Sequence, residues 1–344
     1  MKKIFWILFL GLLFFSCRKE DKTNLPTISS DGFYIINEGN YTWGNSSLSY
    51  FDEQKQTIEN DVFYKANHAP IGDVAMDMKI IHNKGFITIN NSGLIYVVEP
   101  STAKYVATIG SLISPRYILP VNDSLAYVSD LYSPYISVIN TYRYQTIGHI
   151  FTGKSTESMI KDEHQIFVTS WSFNNKIYII DELQQRVTDS ITVGLQPNSI
   201  TLDRENNIWV LCDGGYSGNP VGHEKSSIWK INAATHQVIE SFYFPNINYA
   251  ARSLVMNSSA DTLYYIYHDV YKMSIYDSIL PQQSFIEAHQ SNFYSVWIHP
   301  LKPWLLLTDA KNYTSNGTVF LYHIHGNLLG KYDAGIIPRA FCKQ

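Results

Sequence analysis

The chain has 344 residues and a formal charge of −4, with 45% apolar, 16% charged and 14% aromatic residues. So few charges beside so many aromatics exclude a disordered chain, and 26 Lys and Arg against 30 Asp and Glu leave no basic excess to neutralise nucleic acid. The 3 cysteines are too few for a disulfide framework or, without histidine, for a zinc ribbon.

The N-terminus reads as an address. Met1-Lys2-Lys3 is a charged start, and Ile4 to Phe15 is an apolar run too short to span a bilayer as an ordinary helix. Phe14-Phe15-Ser16-Cys17 resembles the end of a bacterial lipoprotein signal, with Phe14 where Leu is usual and Leu13 one place earlier. The expected organisation is a signal peptide over 1–16, a flexible tether over 17–31 with the lipid on Cys17, and one folded domain over 32–344. Several acyl chains on that cysteine would anchor the protein stably to a membrane. A plain secretory signal or membrane anchor is the alternative. Lys19-Glu20-Asp21 resembles the surface-export signal of Bacteroidetes lipoproteins, against a solvated linker on a periplasmic domain.

From Phe33 onward a unit recurs: a β-rich run, a polar turn, a second alternating run, another turn and a third run. The copies open at Phe33–Asn37 with Leu48–Asp52 and continue through Gly85–Glu99 and Ala126–Asp130 with Ile136–Asn140. Ile166–Ser170 pairs with Ile177–Asp181, Ile208–Cys212 with Ile228–Asn232, Leu263–Tyr267 with Tyr271–Tyr276, and Leu305–Asp309 with Val319–Tyr322. Alternating apolar residues bounded by Gly, Asn, Asp and Pro predict strands throughout, with no long amphipathic helix. Seven copies at intervals of about 40 residues predict an all-β, seven-bladed β-propeller. Two intervals are lengthened by insertions, around His68 and over Gly214 to Lys225. A pair of β-sandwiches is the competing architecture. The first copy lacks an innermost strand and the C-terminus has a spare one, Gly335–Phe341, so the C-terminal strand is expected to join the first blade and close the ring.

In this connectivity one face carries the loops between second and third strands of each blade. Those loops are rich in aromatics and amides, and Tyr41, Trp43, Tyr132, Tyr135, Trp171, Phe173 and Tyr216 are the candidate ligand contacts. Loops on a rigid scaffold carry binding sites, and Tyr and Trp bring rigid area with a polar tip. The competing reading for each is packing between neighbouring loops. Arg116, Arg252 and Arg339 recur where inner strands begin, either as donors aimed into the central funnel or as partners of acids on adjacent blades. His68 and His223 lie in the insertions and are candidates to line a site. His323 and His325 share a strand face without an evident third metal ligand, so no metal site or cofactor is expected. Nucleophile-elbow, zincin and phosphate-loop motifs are absent, so no enzyme is expected. Cys212 and Cys342 read as buried thiols.

Asn37-Glu-Gly-Asn40, Pro70–Ala75, Asn90–Gly93, Ser114–Tyr117, Val193–Asn198 and Ile208–Gly215 resemble the Bacteroidetes surface-layer-like, YVTN-type propeller lipoproteins. That group includes the BtuG vitamin B12-binding surface lipoproteins. The resemblance implies a lipid-anchored, surface-exposed outer-membrane protein. Its implied ligand is a corrinoid such as cobalamin, passed to a TonB-dependent transporter. A ferric siderophore, haem or a glycan suits the same bowl of Tyr, Trp and Asn, and a structural or adhesive protein docking partners on that face is the second class.

Overall fold

The computed structural model describes Pro26 and residues 28–344. The signal peptide, Cys17 and most of the expected tether lie outside the described residues. Residues 28–31, assigned to the tether, lie against the first blade: Ile28 packs on its core and Tyr50 Oη donates to the Ser29 carbonyl at 2.5 Å.

Seven antiparallel sheets form a seven-bladed β-propeller, six with four strands and one with three. The inner strands of neighbouring blades touch and enclose the axis. Blade 1 takes its inner strand, Pro338–Lys343, from the C-terminus, paired antiparallel to Gly32–Asn37. Blades 2 to 7 follow in chain order, with inner strands Ala75–Ile81, Pro115–Pro120, Met159–Asp162, Pro197–Leu202, Arg252–Met256 and Phe293–Ile298. The closing strand begins later than Gly335. Gly335 and Ile336 end the outer strand of blade 7, Leu328–Ile336, and Ile337 turns the chain at φ 53 before Pro338. That backbone region is costly for a β-branched residue, so it acts as a break between strands.

Each second strand lies between two neighbouring blades and is apolar nearly throughout; Gly32–Asn37 and Asn207–Cys212 are buried at every position. Outer strands alternate, as Gln145–Phe151 does, because only one face meets the protein. The core is accordingly divided into seven apolar clusters, one at each blade-to-blade interface, including the closing one between blades 7 and 1. Cys212 and Cys342 are free, buried thiols in this core, and burial pushes the Cys342 thiol up to about 12.

The insertion around His68 forms a six-residue helix, Val62–Asn67, wedged into the core between blades 1 and 2 with His68 as its left-handed cap. Blade 6 lacks a fourth strand. Residues 275–292 instead cross its edge irregularly, with one isolated bridge between Val270 and Ile286, Phe285 packed on Tyr264 and the Ala288 amide donating to Asp269. An aromatic cleft of about 380 Å³ opens there between Phe244, Tyr265, Tyr271 and Leu280.

Candidate functional site

The site grows from a repeated backbone irregularity. Six of the seven inner strands slip register near their first residues, leaving unpaired Met76, Arg116–Tyr117, Asn198, Ser253–Leu254, Tyr294 and Arg339. A bulge re-aims the extra side chain and breaks the ladder locally. Of these, Arg116, Tyr117, Asn198, Ser253, Leu254, Tyr294 and Arg339 line the axis. The resulting axial cavity is about 650 Å³. Its walls include Glu38, Asp77, Lys79, Arg116, Tyr117, Glu157, Trp171, Asn198, Asp213, Arg252, Tyr294 and Arg339.

The charges in this cavity are mostly paired. Arg116 is buried and engages buried Glu157 with two bonds, Nε to Oε2 at 2.8 Å and Nη2 to Oε1, while its Nη1 meets Met76 Sδ at 3.2 Å. Such a fork-on-fork pair uses most of the guanidinium donors. Arg339 donates from Nη1 to Glu38 Oε2 at 3.1 Å and to Tyr294 Oη at 3.2 Å, and from Nη2 to Tyr117 Oη at 2.9 Å. Tyr294 Oη in turn donates to Glu38 Oε2 at 2.8 Å. Burial pushes the Tyr294 phenol far up, so it stays a donor. Lys79 Nζ pairs with Asp77 Oδ1 at 3.1 Å.

Asp213 is also well supplied. It accepts from Trp171 Nε1 at 2.6 Å and from the Gly215 amide at 2.8 Å. Burial still raises its carboxyl above the usual range, against the lowering effect of Trp171, Gly215, Asn198 and Arg252. Arg252 itself differs from the other cations. Its guanidinium carbon lies 5.8 Å from the Tyr294 ring centre, and it enters none of the ion pairs of the described residues. It also stands one residue before the slipped position of its strand, so it is not in phase with Arg116 and Arg339.

Of the residues singled out from sequence, Arg116, Trp171, Arg252 and Arg339 line the cavity. Trp171 is half-buried and committed to Asp213, whereas Tyr41, Trp43, Tyr132, Tyr135, Phe173 and Tyr216 are exposed on surrounding loops. Those loops are joined to one another across blades. Asn40 Nδ2 donates to the Tyr313 carbonyl at 2.6 Å, and the Thr42 amide to Asp73 Oδ2 at 2.8 Å. Trp43 is 66% exposed and Tyr132 69%, so neither is held by packing on a neighbouring loop. Tyr135 stacks at a tilt on Phe151, ring centres 5.3 Å apart. His223 bridges to Gly215 within its own loop and its Nε2 faces the Ile247 carbonyl at 3.1 Å; it does not reach the cavity. His68 is likewise away from it, at the helix cap. His323 and His325 lie side by side, ring centres 4.8 Å apart. Among the described residues no group of three or more His, Cys, Asp or Glu is placed to hold a metal ion.

Sequence reading missed Glu38, Asp77, Lys79, Tyr117, Glu157, Asn198, Asp213 and Tyr294. A usable signal existed for some of them. Asn198 and Tyr294 occupy the second position of their inner strands, as Arg116 and Arg339 do.

No curated protein matches this sequence. Many solved structures resemble it in fold, among them the following three. A quinonprotein alcohol dehydrogenase-like protein from Bacteroides thetaiotaomicron aligns at 15% identity and a TM-score of 0.69, covering 91% of this chain and 78% of the other. The dihydro-heme d1 dehydrogenase NirN, in complex with DHE, aligns at 8% identity and 0.64, covering 91% and 75%. Kuenenia stuttgartiensis hydrazine synthase aligns at 14% identity and 0.61, covering 77% and 88%. At such identities the likeness is one of fold alone. A family model described as a domain of unknown function, DUF5074, matches residues 31–332, and the chain belongs to that family.

Proposed function

We propose that this chain is a binding propeller without catalytic activity, which captures a broad small molecule over the mouth of its axial cavity. The observation that carries the reading is the rim. Exposed aromatics from separate blades, Trp43, Tyr132, Phe173 and Tyr216, stand on the same loops that send Glu38, Leu131, Trp171 and Asp213 into the wall of the polar cavity. Large exposed aromatic area on a fixed frame marks a contact surface. A corrinoid fits it by chemistry: a wide macrocycle with apolar faces for the aromatics and a fringe of amides for the cavity's polar groups. In this reading Cys17 carries the lipid, the protein stands on the outer surface of the outer membrane, and it passes its ligand to a TonB-dependent transporter.

Titration calorimetry of the full-length chain with cobalamin, cobinamide, haem and a ferric siderophore tests the ligand. Cobalamin or cobinamide should bind, and Trp43→Ala, Tyr132→Ala and Tyr216→Ala should each weaken binding. An anchor of hot-spot rank loses about 2 kcal/mol, roughly 30-fold in affinity. Unchanged binding in all three variants would move the site elsewhere, and binding of only haem or the siderophore would overturn the corrinoid assignment. Protease added to intact cells tests the address: the domain should be removed, and Cys17→Ala should yield released protein or uncleaved precursor. Full protection in the parent would place the domain inside the cell envelope.

A further inference from the structure

The cavity floor offers more donors than its own acceptors use. Arg116 is spent on Glu157, Arg339 on Glu38 and two tyrosines, and Lys79 on Asp77. Arg252 is half-buried in the same cavity, and its side chain forms neither a hydrogen bond nor an ion pair among the described residues. Five N–H donors on a permanently charged group stand there without an acceptor. A guanidinium removed from bulk water and left unmatched is costly, and the cost is recovered when an anionic acceptor arrives. The carboxylate whose charge it acts on, Asp213, forms neither an ion pair nor a hydrogen bond with it and instead accepts from Trp171 and the Gly215 amide. The guanidinium carbon lies 5.8 Å from the Tyr294 ring centre, a cation–π contact that uses none of its N–H donors.

We infer that Arg252 is the anchor of an anion subsite in the axial cavity, which receives a phosphate or carboxylate group carried by the ligand that covers the aromatic rim. The inference rests on the rim being the binding face. It adds that the ligand has an anionic arm reaching below that rim. The arm would be held by Arg252 in the cavity whose lining also includes Tyr294, Asn198 and Trp171.

The test uses small probes with one aromatic ring and one head group: phenyl phosphate, benzoate and neutral benzyl alcohol, titrated into the full-length chain by calorimetry. At least one anion should bind at least tenfold more tightly than benzyl alcohol. Tighter binding of phenyl phosphate assigns a phosphate arm, and tighter binding of benzoate a carboxylate arm. Arg252→Gln should lower the anion's affinity at least tenfold and leave benzyl alcohol unchanged. Arg252→Lys, which keeps the charge and tolerates the site if the glutamine variant fails to fold, should retain the preference for anions with weaker binding. Equal binding of all three probes, absence of binding, or anion affinity unchanged in the glutamine variant would overturn the subsite. Loss of cobalamin binding in the rim variants with none in Arg252→Gln would refute the subsite alone. Arg252-dependent anion binding with no corrinoid binding would refute the corrinoid reading alone.

Discussion

Trp171 and Trp43 belong to the same class of loop yet do different work. The Trp171 indole donates to Asp213 at 2.6 Å and helps keep that buried carboxyl from rising further, whereas Trp43 is 66% exposed. A hydrogen bond to a charged group contributes about 1.5–3 kcal/mol, so Trp171→Phe should destabilise the fold by about 1–2 kcal/mol at neutral pH. The sign with pH follows from Asp213, whose folded carboxyl is raised. Such a group favours the folded state at low pH, and that benefit disappears as pH climbs from the unfolded value of about 3.9 through the folded one. Losing the indole donor raises the carboxyl further, so the deficit of Trp171→Phe should be larger at pH 7 than at pH 4. Urea unfolding at the two pH values checks this; a deficit independent of pH would mean that the indole acts by packing alone. Trp43→Ala should unfold within about 0.5 kcal/mol of the parent.

The strands were legible from their residues because each blade repeats one rule: a buried second strand, a half-buried third, and polar turns at both ends. Phe33–Asn37, Ile166–Ser170 and Ile208–Cys212 carry that rule in plain alternation or continuous apolar runs, and all lie within second strands. Three elements escaped it for physical reasons. The helix Val62–Asn67 is only six residues long, so no helical period could build up. Blade 6 shows its first three strands normally, but residues 275–292 contain no run that announces whether a fourth strand pairs. The closing strand reads from sequence as starting at Gly335, three residues early, because Gly335-Ile336 continue the apolar pattern straight into Pro338, and only the positive φ of Ile337 separates them. The rim aromatics were visible as loop composition. The cavity was not, because register slips decide which residue of an inner strand points at the axis. Glu157 lies just before its strand, and Glu38 and Asp213 in loops, so no strand period could bring them together with Arg116, Arg252 and Arg339.

Closing the ring joins residues from the two ends of the domain, and the join is polar as well as apolar. Phe33, Phe51, Leu306 and Phe341 form the apolar interface between blades 7 and 1. Beside it, Glu53 of blade 1 accepts from His299 Nε2 at 3.0 Å, and pairs with Lys302 of blade 7 and with Lys343 of the closing strand at 3.3 Å. Both His299 and Glu53 are buried. The His299 Nδ1 accepts the backbone N–H groups of Leu301 at 3.1 Å and Lys302 at 2.9 Å, so the neutral ring with its proton on Nε2 is the form that fits. Burial lowers the His299 pKa despite the opposing pull of Glu53. Glu53 is itself lowered: burial would raise it, but Lys302, His299 and Lys343 outweigh that. A histidine with a depressed folded pKa takes up its proton more readily when unfolded, so stability is full above about pH 6.5 and falls as pH drops below it. The depressed carboxylate adds a second loss in more acidic solution, as pH falls from its ordinary value of about 4.3 through its folded one. One such site changes stability by at most about 1.4 kcal/mol per pH unit. Thermal unfolding of the parent should therefore shift to lower temperature between pH 7 and pH 5. His299→Gln should start lower at pH 7, since it loses the acceptor for two backbone amides, and should show a flatter decline over the same interval. An equal decline in parent and variant would remove His299 as its source and leave the latch as a structural tie only.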